Sequence, residues 1–137
     1  MDLKAKVSSI MQTNLITVSE EDDIDKIKAV FNMYGFRHFP VVQFKKLIGL
    51  ISLSDISFLV DPSNIELDSL RMAVIDTADL KAKDLMKTRL AKLDPGDTID
   101  VAIDIFVNYH FHCLPVVQGE ELVGLVSPVD ILKALTP

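Results

Sequence analysis

At 137 residues the chain is the size of about one compact domain, and 49% hydrophobic with 25% charged residues is a globular rather than a disordered composition. The 14 basic against 20 acidic residues leave a net charge of −6, the wrong sign for broad binding of nucleic-acid phosphates. A single cysteine, Cys113, excludes an intramolecular disulfide. No apolar run approaches the ~18 residues of a membrane span, and Met1-Asp2-Leu3-Lys4 lacks the basic-then-apolar order of a secretory signal, so cytoplasmic residence is expected.

In chain order, residues 6–11 form a short lead-in helix and residues 15–18 a short β-rich run. Ser19-Glu20-Glu21-Asp22 then opens a helix, with Ser19 as N-cap and acids in the first turn. Ile24, Ile27, Phe31 and Tyr34 recur at a helical period. Residues 39–43 and 47–51 read as two strands apolar on both faces, separated by a polar turn, and a second helix begins at Ser52. Residues 61–80 form a connection; Leu67, Leu70, Met72 and Val74 predict that part of it packs as a helix.

The same order then repeats. Residues 82–86 are a second lead-in, and Asp94-Pro95-Gly96-Asp97 opens a helix with Pro95 at its first position. Ile99, Ile103, Phe106 and Tyr109 carry its apolar face, residues 114–118 and 122–126 are strands, and Ser127 opens the last helix. Shifting the chain by 75 residues gives 19 identities over the 47 positions from Ile10 to Ile56 without a gap, against a chance expectation of about 3. The fold class is therefore mixed α/β (α+β), a duplicated β-α-β-β-α unit. The division is 1–60 for the first copy, 61–80 for the connection and 81–137 for the second. A unit of roughly 50 residues buries too little surface alone, so the copies should pack on each other.

The strongest motif occurs twice, as Gly49-Leu50-Ile51-Ser52-Leu53-Ser54-Asp55 and Gly124-Leu125-Val126-Ser127-Pro128-Val129-Asp130. A strand ends, a hydroxyl caps a helix and a carboxylate follows three residues later. That pattern makes a capping box. The same geometry can present amides and a hydroxyl to an anion, with an acid placed to accept from ribose hydroxyls. Three residues before each strand proline stands a basic side chain, Arg37 before Pro40 and His112 before Pro115. Arginine offers a bidentate, permanently charged phosphate fork, whereas an imidazole is charged only in part near neutrality.

A tandem pair of such units, each with a Met-x-Thr opening, a Pro-Val-Val strand and a Gly-x-x-Ser-x-x-Asp ending, resembles a CBS-domain pair, or Bateman module. The resemblance implies tandem repeats packed through their sheets with pseudo-twofold symmetry, and two inter-repeat clefts. It implies an adenine nucleotide (AMP, ADP or ATP) as ligand, S-adenosylmethionine in some members, and no required cofactor. By position, Asp55 and Asp130 match the ribose-holding acids, Ser52 and Ser127 the phosphate-side hydroxyls, and Arg37 and His112 the basic phosphate contacts. The base would lie near Ile16 and Thr17, or Ala91 and Lys92, with Phe39 or Leu114 in an apolar wall. Because Ser54 is polar where Val129 is not, and Arg37 stands where the second copy has His112, the first copy's motif is expected to bind phosphate better.

The two repeats occupy almost the whole chain, so a regulatory role without catalysis is expected, signalling to a separate effector protein, with homodimerisation as in many such modules. No nucleic-acid or membrane partner is expected. A purely structural dimerisation or docking module is the alternative, since each named residue also has a structural use. A metal site of His110, His112 and Cys113 is a further one, although no second ligand cluster follows at metal-motif spacing. Cys113 as a nucleophile is disfavoured, because neighbouring strand residues point to opposite faces; a small buried thiol is the simpler reading. Asp22-Asp23-x-Asp25 lacks the glycine and terminal glutamate of a calcium loop. Phe31, Met33, Tyr34 and Phe36 follow helical spacing better than they serve base stacking.

Overall fold

A computed structural model describes residues 1–34, 37–52 and 80–136. The chain gathers into two units that do not follow its linear order. A C-terminal unit combines Arg89–Pro137 with Met1–Leu15 and Lys45–Leu47, and an N-terminal unit combines Ile16–Phe44 with Ile48–Thr88. Each lead-in segment therefore belongs to the unit built from the other copy.

In the N-terminal unit, helix α1 (Ile24–Tyr34) is followed by strand β1 (His38–Gln43), by β2 (Lys46–Ser52) from Ile48 onward, and by the short helix α2 (Ala82–Leu85). Ile24, Ile27 and Phe31 on one face of α1 meet Phe39 and Val41 of β1, Ile51 of β2 and Ala82 in one buried cluster. The rings of Phe31 and Phe39 stack with centroids 4.2 Å apart, an arrangement that adds to the area they bury. Along β2, Leu47, Gly49 and Ile51 are buried in alternation, as a strand with a period of two requires.

The C-terminal unit holds a 3-10 turn at Val7–Ser9, helix α3 (Ile99–Asn108), strands β3 (Leu114–Gln118) and β4 (Glu121–Val126), and helix α4 (Pro128–Leu135). β3 and β4 pair antiparallel from Leu114↔Val126 to Gln118↔Glu121, with an irregularity between Val116 and Val117. Lys46, which belongs to this unit, pairs antiparallel with Glu121 on the other side of β4. Val7, Leu93, Ile99, Ala102, Leu114, Val116, Val126 and Ile131 form the buried cluster.

The helix starts differ from expectation, for one reason in both copies. Asp22 closes a turn, its carboxylate accepting from the Ser19 N–H at 2.9 Å while its own N–H donates to the Ser19 carbonyl at 3.0 Å. Residues 22–24 then pair with the second lead-in: Ala82 N–H donates to the Asp22 carbonyl at 2.8 Å and Ile24 N–H to that of Leu80 at 3.0 Å. Hydrogen bonding to the other segment holds this stretch extended, so α1 begins at Ile24 and Ser19 is not its N-cap. The second copy repeats this. Asp97 closes a turn on Asp94, Val7 N–H donates to the Asp97 carbonyl at 2.7 Å, and Ile99 N–H donates to that of Ala5 at 3.0 Å. α3 therefore begins at Ile99 after Thr98, and Pro95 lies in the turn rather than at a first helical position.

Three further expectations change. Residues 15–18 form no strand; Val18 makes a single parallel bridge to Val41, and Leu93 makes the equivalent bridge to Val116. Tyr109 ends α3 in an extended conformation and is exposed instead of continuing the apolar face. The first lead-in is a 3-10 turn rather than a longer helix. The connection at 61–80, apart from Leu80, and the helix expected after Ser52 lie outside the described residues.

Candidate functional site

The end of β4 and the start of α4 carry the second-copy motif. Ser127 is the N-cap of α4 in an extended conformation, and Asp130 is the third helical residue. They form the reciprocal capping box. The Ser127 N–H donates to Asp130 Oδ2 at 2.8 Å, the Ser127 hydroxyl donates to the same oxygen at 3.0 Å, and the Asp130 N–H reaches Ser127 Oγ at 3.3 Å. Asp130 is 9% exposed, so its carboxylate is held in one orientation at the edge of a core that includes Ile131.

Its second oxygen is also engaged. Gln12 Nε2 donates to Asp130 Oδ1 at 2.8 Å. Gln12 reaches this place because the first lead-in joins the far end of β4: its N–H donates to the Leu125 carbonyl at 2.8 Å and its carbonyl accepts from the Leu125 N–H at 3.0 Å. Next to it, the Met11 side chain lies over Gly124, where an added Cβ would stand 2.5 Å from Met11 Sδ. The N-terminal unit repeats this cover, with Met86 over Gly49 and a corresponding distance of 2.6 Å, and with Lys87 bridged to Leu50. The motif glycines are thus explained by close approach: a side chain there would collide with a methionine supplied by the exchanged segment.

The strand registers collect most of the second-copy residues near this end. Leu114 opposes Val126, which sets His112 and Cys113, just before β3, beside the chain leaving β4 at Ser127. The parallel bridge of Leu93 to Val116 sets Ala91 and Lys92 alongside the start of β3. Lys92 and His112 are exposed and Ala91 is half-buried against the core. In the N-terminal unit, the bridge of Val18 to Val41 likewise sets Ile16 and the exposed Thr17 alongside Phe39 and Pro40, after the exposed Arg37. Ser52 ends β2 there, half-buried; Ser54 and Asp55 lie outside the described residues.

Two expected site residues lie in the cores. Phe39 and Leu114 are each 0% exposed, packed inside their units' apolar clusters. Their position explains this: both stand on strands buried on two faces, where consecutive residues are covered. Cys113 is buried too, and burial, with the Asp130 carboxylate as a smaller contribution, pushes its thiol up to about 12. A neutral buried thiol is a poor nucleophile and a poor metal ligand. His110 and His112 are exposed, and among the described residues no group of three or more His, Cys, Asp or Glu is placed to hold a metal ion.

The two motifs also differ in sequence just after the serine. Pro128 at the start of α4 has no N–H, and the Asp130 N–H is taken by Ser127, which reduces the free amides that a helix N-terminus offers an anion. The first copy has Leu53 at the corresponding position.

Comparison with known proteins identifies the repeated unit. The family model described as CBS domain matches residues 7–61 and again 82–137. The chain belongs to the CBS domain family. Protein MJ1225 from Methanocaldococcus jannaschii superposes with a TM-score of 0.83 at 21% identity, over 99% of this chain and 49% of that one. CBSX2 in complex with AMP superposes with a TM-score of 0.78 at 20% identity, over 94% of both chains. Among sequence relatives, an inosine-5'-monophosphate dehydrogenase from Korarchaeum cryptofilum is 27% identical over 127 residues, and protein MJ0188 from M. jannaschii is 29% identical over 133. The chain spans 23% and 44% of their lengths, so what it shares with them is the tandem CBS repeat. Among the described residues no helix is long and apolar enough to cross a membrane.

Sequence reasoning misses Gln12. The signal available for it is the cross-matched pair of identical methionines and glycines, Met11/Met86 and Gly49/Gly124, which the exchange of lead-ins brings into contact.

Proposed function

We propose that the chain is a regulatory CBS module that binds an adenine nucleotide through its two Gly-x-x-Ser-x-x-Asp motif ends and performs no catalysis. In this reading Asp130 and Asp55 accept from ribose hydroxyls, Ser127 and Ser52 stand on the phosphate side, and His112 and Arg37 supply the basic contacts. Ile16, Thr17, Ala91 and Lys92 flank the base, and Ser54 adds a polar group in the first copy. The observation that carries the reading is the Ser127–Asp130 box, which fixes a carboxylate at a strand-to-helix corner beside a basic strand entrance. Support by analogy comes from the AMP complex of CBSX2.

The first copy is the stronger phosphate site, because Arg37 is a permanent cation and no proline removes an amide at its motif. Binding changes the module's preference between conformations, read by a homodimer partner or a separate cytoplasmic effector, and only by the ligand's differential affinity for those states. A thermal-shift panel of AMP, ADP, ATP and S-adenosylmethionine tests the reading. A ligand at 100 times its Kd stabilises the fold by about 2.7 kcal/mol. No shift with any of the four at millimolar concentration would leave a structural docking module as the better account. Loss of binding in Asp130→Ala with full binding in Asp55→Ala would reverse the proposed asymmetry.

A further inference from the structure

Asp130 is nearly saturated before any ligand arrives. A carboxylate offers about four acceptor positions. Oδ2 uses two of them on the Ser127 N–H and hydroxyl, and Oδ1 uses one on Gln12 Nε2. One position is left, whereas a cis-diol that donates both its hydroxyls to one carboxylate needs two. Gln12 is exposed, but its backbone is held in register by two hydrogen bonds to Leu125 and by Met11 packed over Gly124, and its carboxamide is placed by the bond to Asp130. The bond also spans 118 residues of sequence, tying the first lead-in to the second motif.

We propose that Gln12 determines the sugar specificity of the second motif by occupying the acceptor position that a second ribose hydroxyl would use. The inference rests on the nucleotide reading above and deepens it. With Gln12 in place, Asp130 accepts one hydroxyl, and the site distinguishes ribose from 2'-deoxyribose weakly. When the carboxamide is removed, both positions on Oδ1 open and the full diol is held. A ligand that engages both hydroxyls in the natural protein must displace the Gln12 carboxamide from Asp130.

The experiment measures the Kd of AMP and of 2'-deoxy-AMP by calorimetry for the natural chain, Gln12→Met and Gln12→Ala. It is run in the full chain and again in an Asp55→Ala background that removes the first copy's acid. Methionine keeps the length and packing of glutamine without its donor. The natural chain should bind the two nucleotides with similar affinity in the Asp55→Ala background. Both Gln12 variants should bind AMP more tightly and raise the preference for AMP over 2'-deoxy-AMP by about tenfold, the worth of one hydrogen bond to a charged group. A merely structural role for Gln12 would change both affinities together and leave the ratio alone. An unchanged ratio with AMP still bound overturns the role of Gln12 and leaves the nucleotide reading standing. Absence of AMP binding in every variant overturns both.

Discussion

The β1–β2 turn of the N-terminal copy and the β3–β4 turn of the C-terminal copy stand at equivalent positions but are built from different residues. Phe44 and Lys45 occupy the first turn with φ of 50° and 69°, a left-handed conformation that costs a side-chain-bearing residue roughly 1–2 kcal/mol. The second turn uses Gly119 with φ of 66°, where the same conformation carries no steric penalty. The motif glycines show the opposite behaviour. Gly49 and Gly124 are both retained, and each is covered by the methionine of an exchanged lead-in. Backbone strain at an exposed tip is tolerated, whereas a buried glycine under a half-buried methionine leaves no room for a side chain. Divergence between the copies is thus graded by burial.

Four outcomes would sharpen or break that comparison. The largest effect is expected where burial is complete: Phe39→Ala should lower stability by about 3–5 kcal/mol and Leu114→Ala by about 2–5 kcal/mol, measured by urea unfolding. A loss below about 1 kcal/mol would mean these side chains are not core. Next, Gly124→Ala and Gly49→Ala should each cost about 1–3 kcal/mol by overpacking. Met11→Ala should relieve Gly124→Ala, and Met86→Ala should relieve Gly49→Ala, but not the crossed pairs; equal relief by either methionine would contradict the exchange of lead-ins.

A smaller effect is expected at the exposed tip. Replacing Phe44-Lys45 by Asn-Gly, the pair suited to two left-handed residues, should raise stability by about 1 kcal/mol in the same unfolding assay. A destabilised variant would show that Phe44, 96% exposed, makes a contact worth more than the strain. The last outcome concerns Cys113. Its folded-state pKa is raised to about 12 because burial disfavours the thiolate, so its contribution is fully present below the unfolded value near 9. That contribution should fade as pH climbs from 9 toward 12, and Cys113→Ala should flatten the decline. Iodoacetamide should label Cys113 slowly in the folded chain and rapidly in urea.

Much of the fold and part of the candidate site are legible in the order of residues. The four strands that form are readable to within one residue because their apolar runs have few alternative arrangements, whereas the run at 15–18 yields only a single bridge; the Ser127–Asp130 box follows from spacing alone. The helix starts are not. Ser19 and Pro95 carry strong local signals, but the N–H groups of Ile24 and Ile99 are taken by Leu80 and Ala5, far away in sequence. The full burial of Phe39 and Leu114 is likewise not legible in the motif, whose spacing says nothing about which face of a strand is covered. Gln12 has no local signal at all, since a glutamine's partner is set by whichever chain segment lies opposite.

Periodicity, duplication and capping chemistry are properties of neighbouring residues, so the amino-acid order alone determined the repeated unit, its strands and the placement of its hydroxyl and acid. Which lead-in covers which glycine, and which donor meets Asp130, depend on contacts between residues far apart in the chain, 118 positions in the case of Gln12 and Asp130. Only the folded chain could decide those, because short-range preferences carry no information about distant partners.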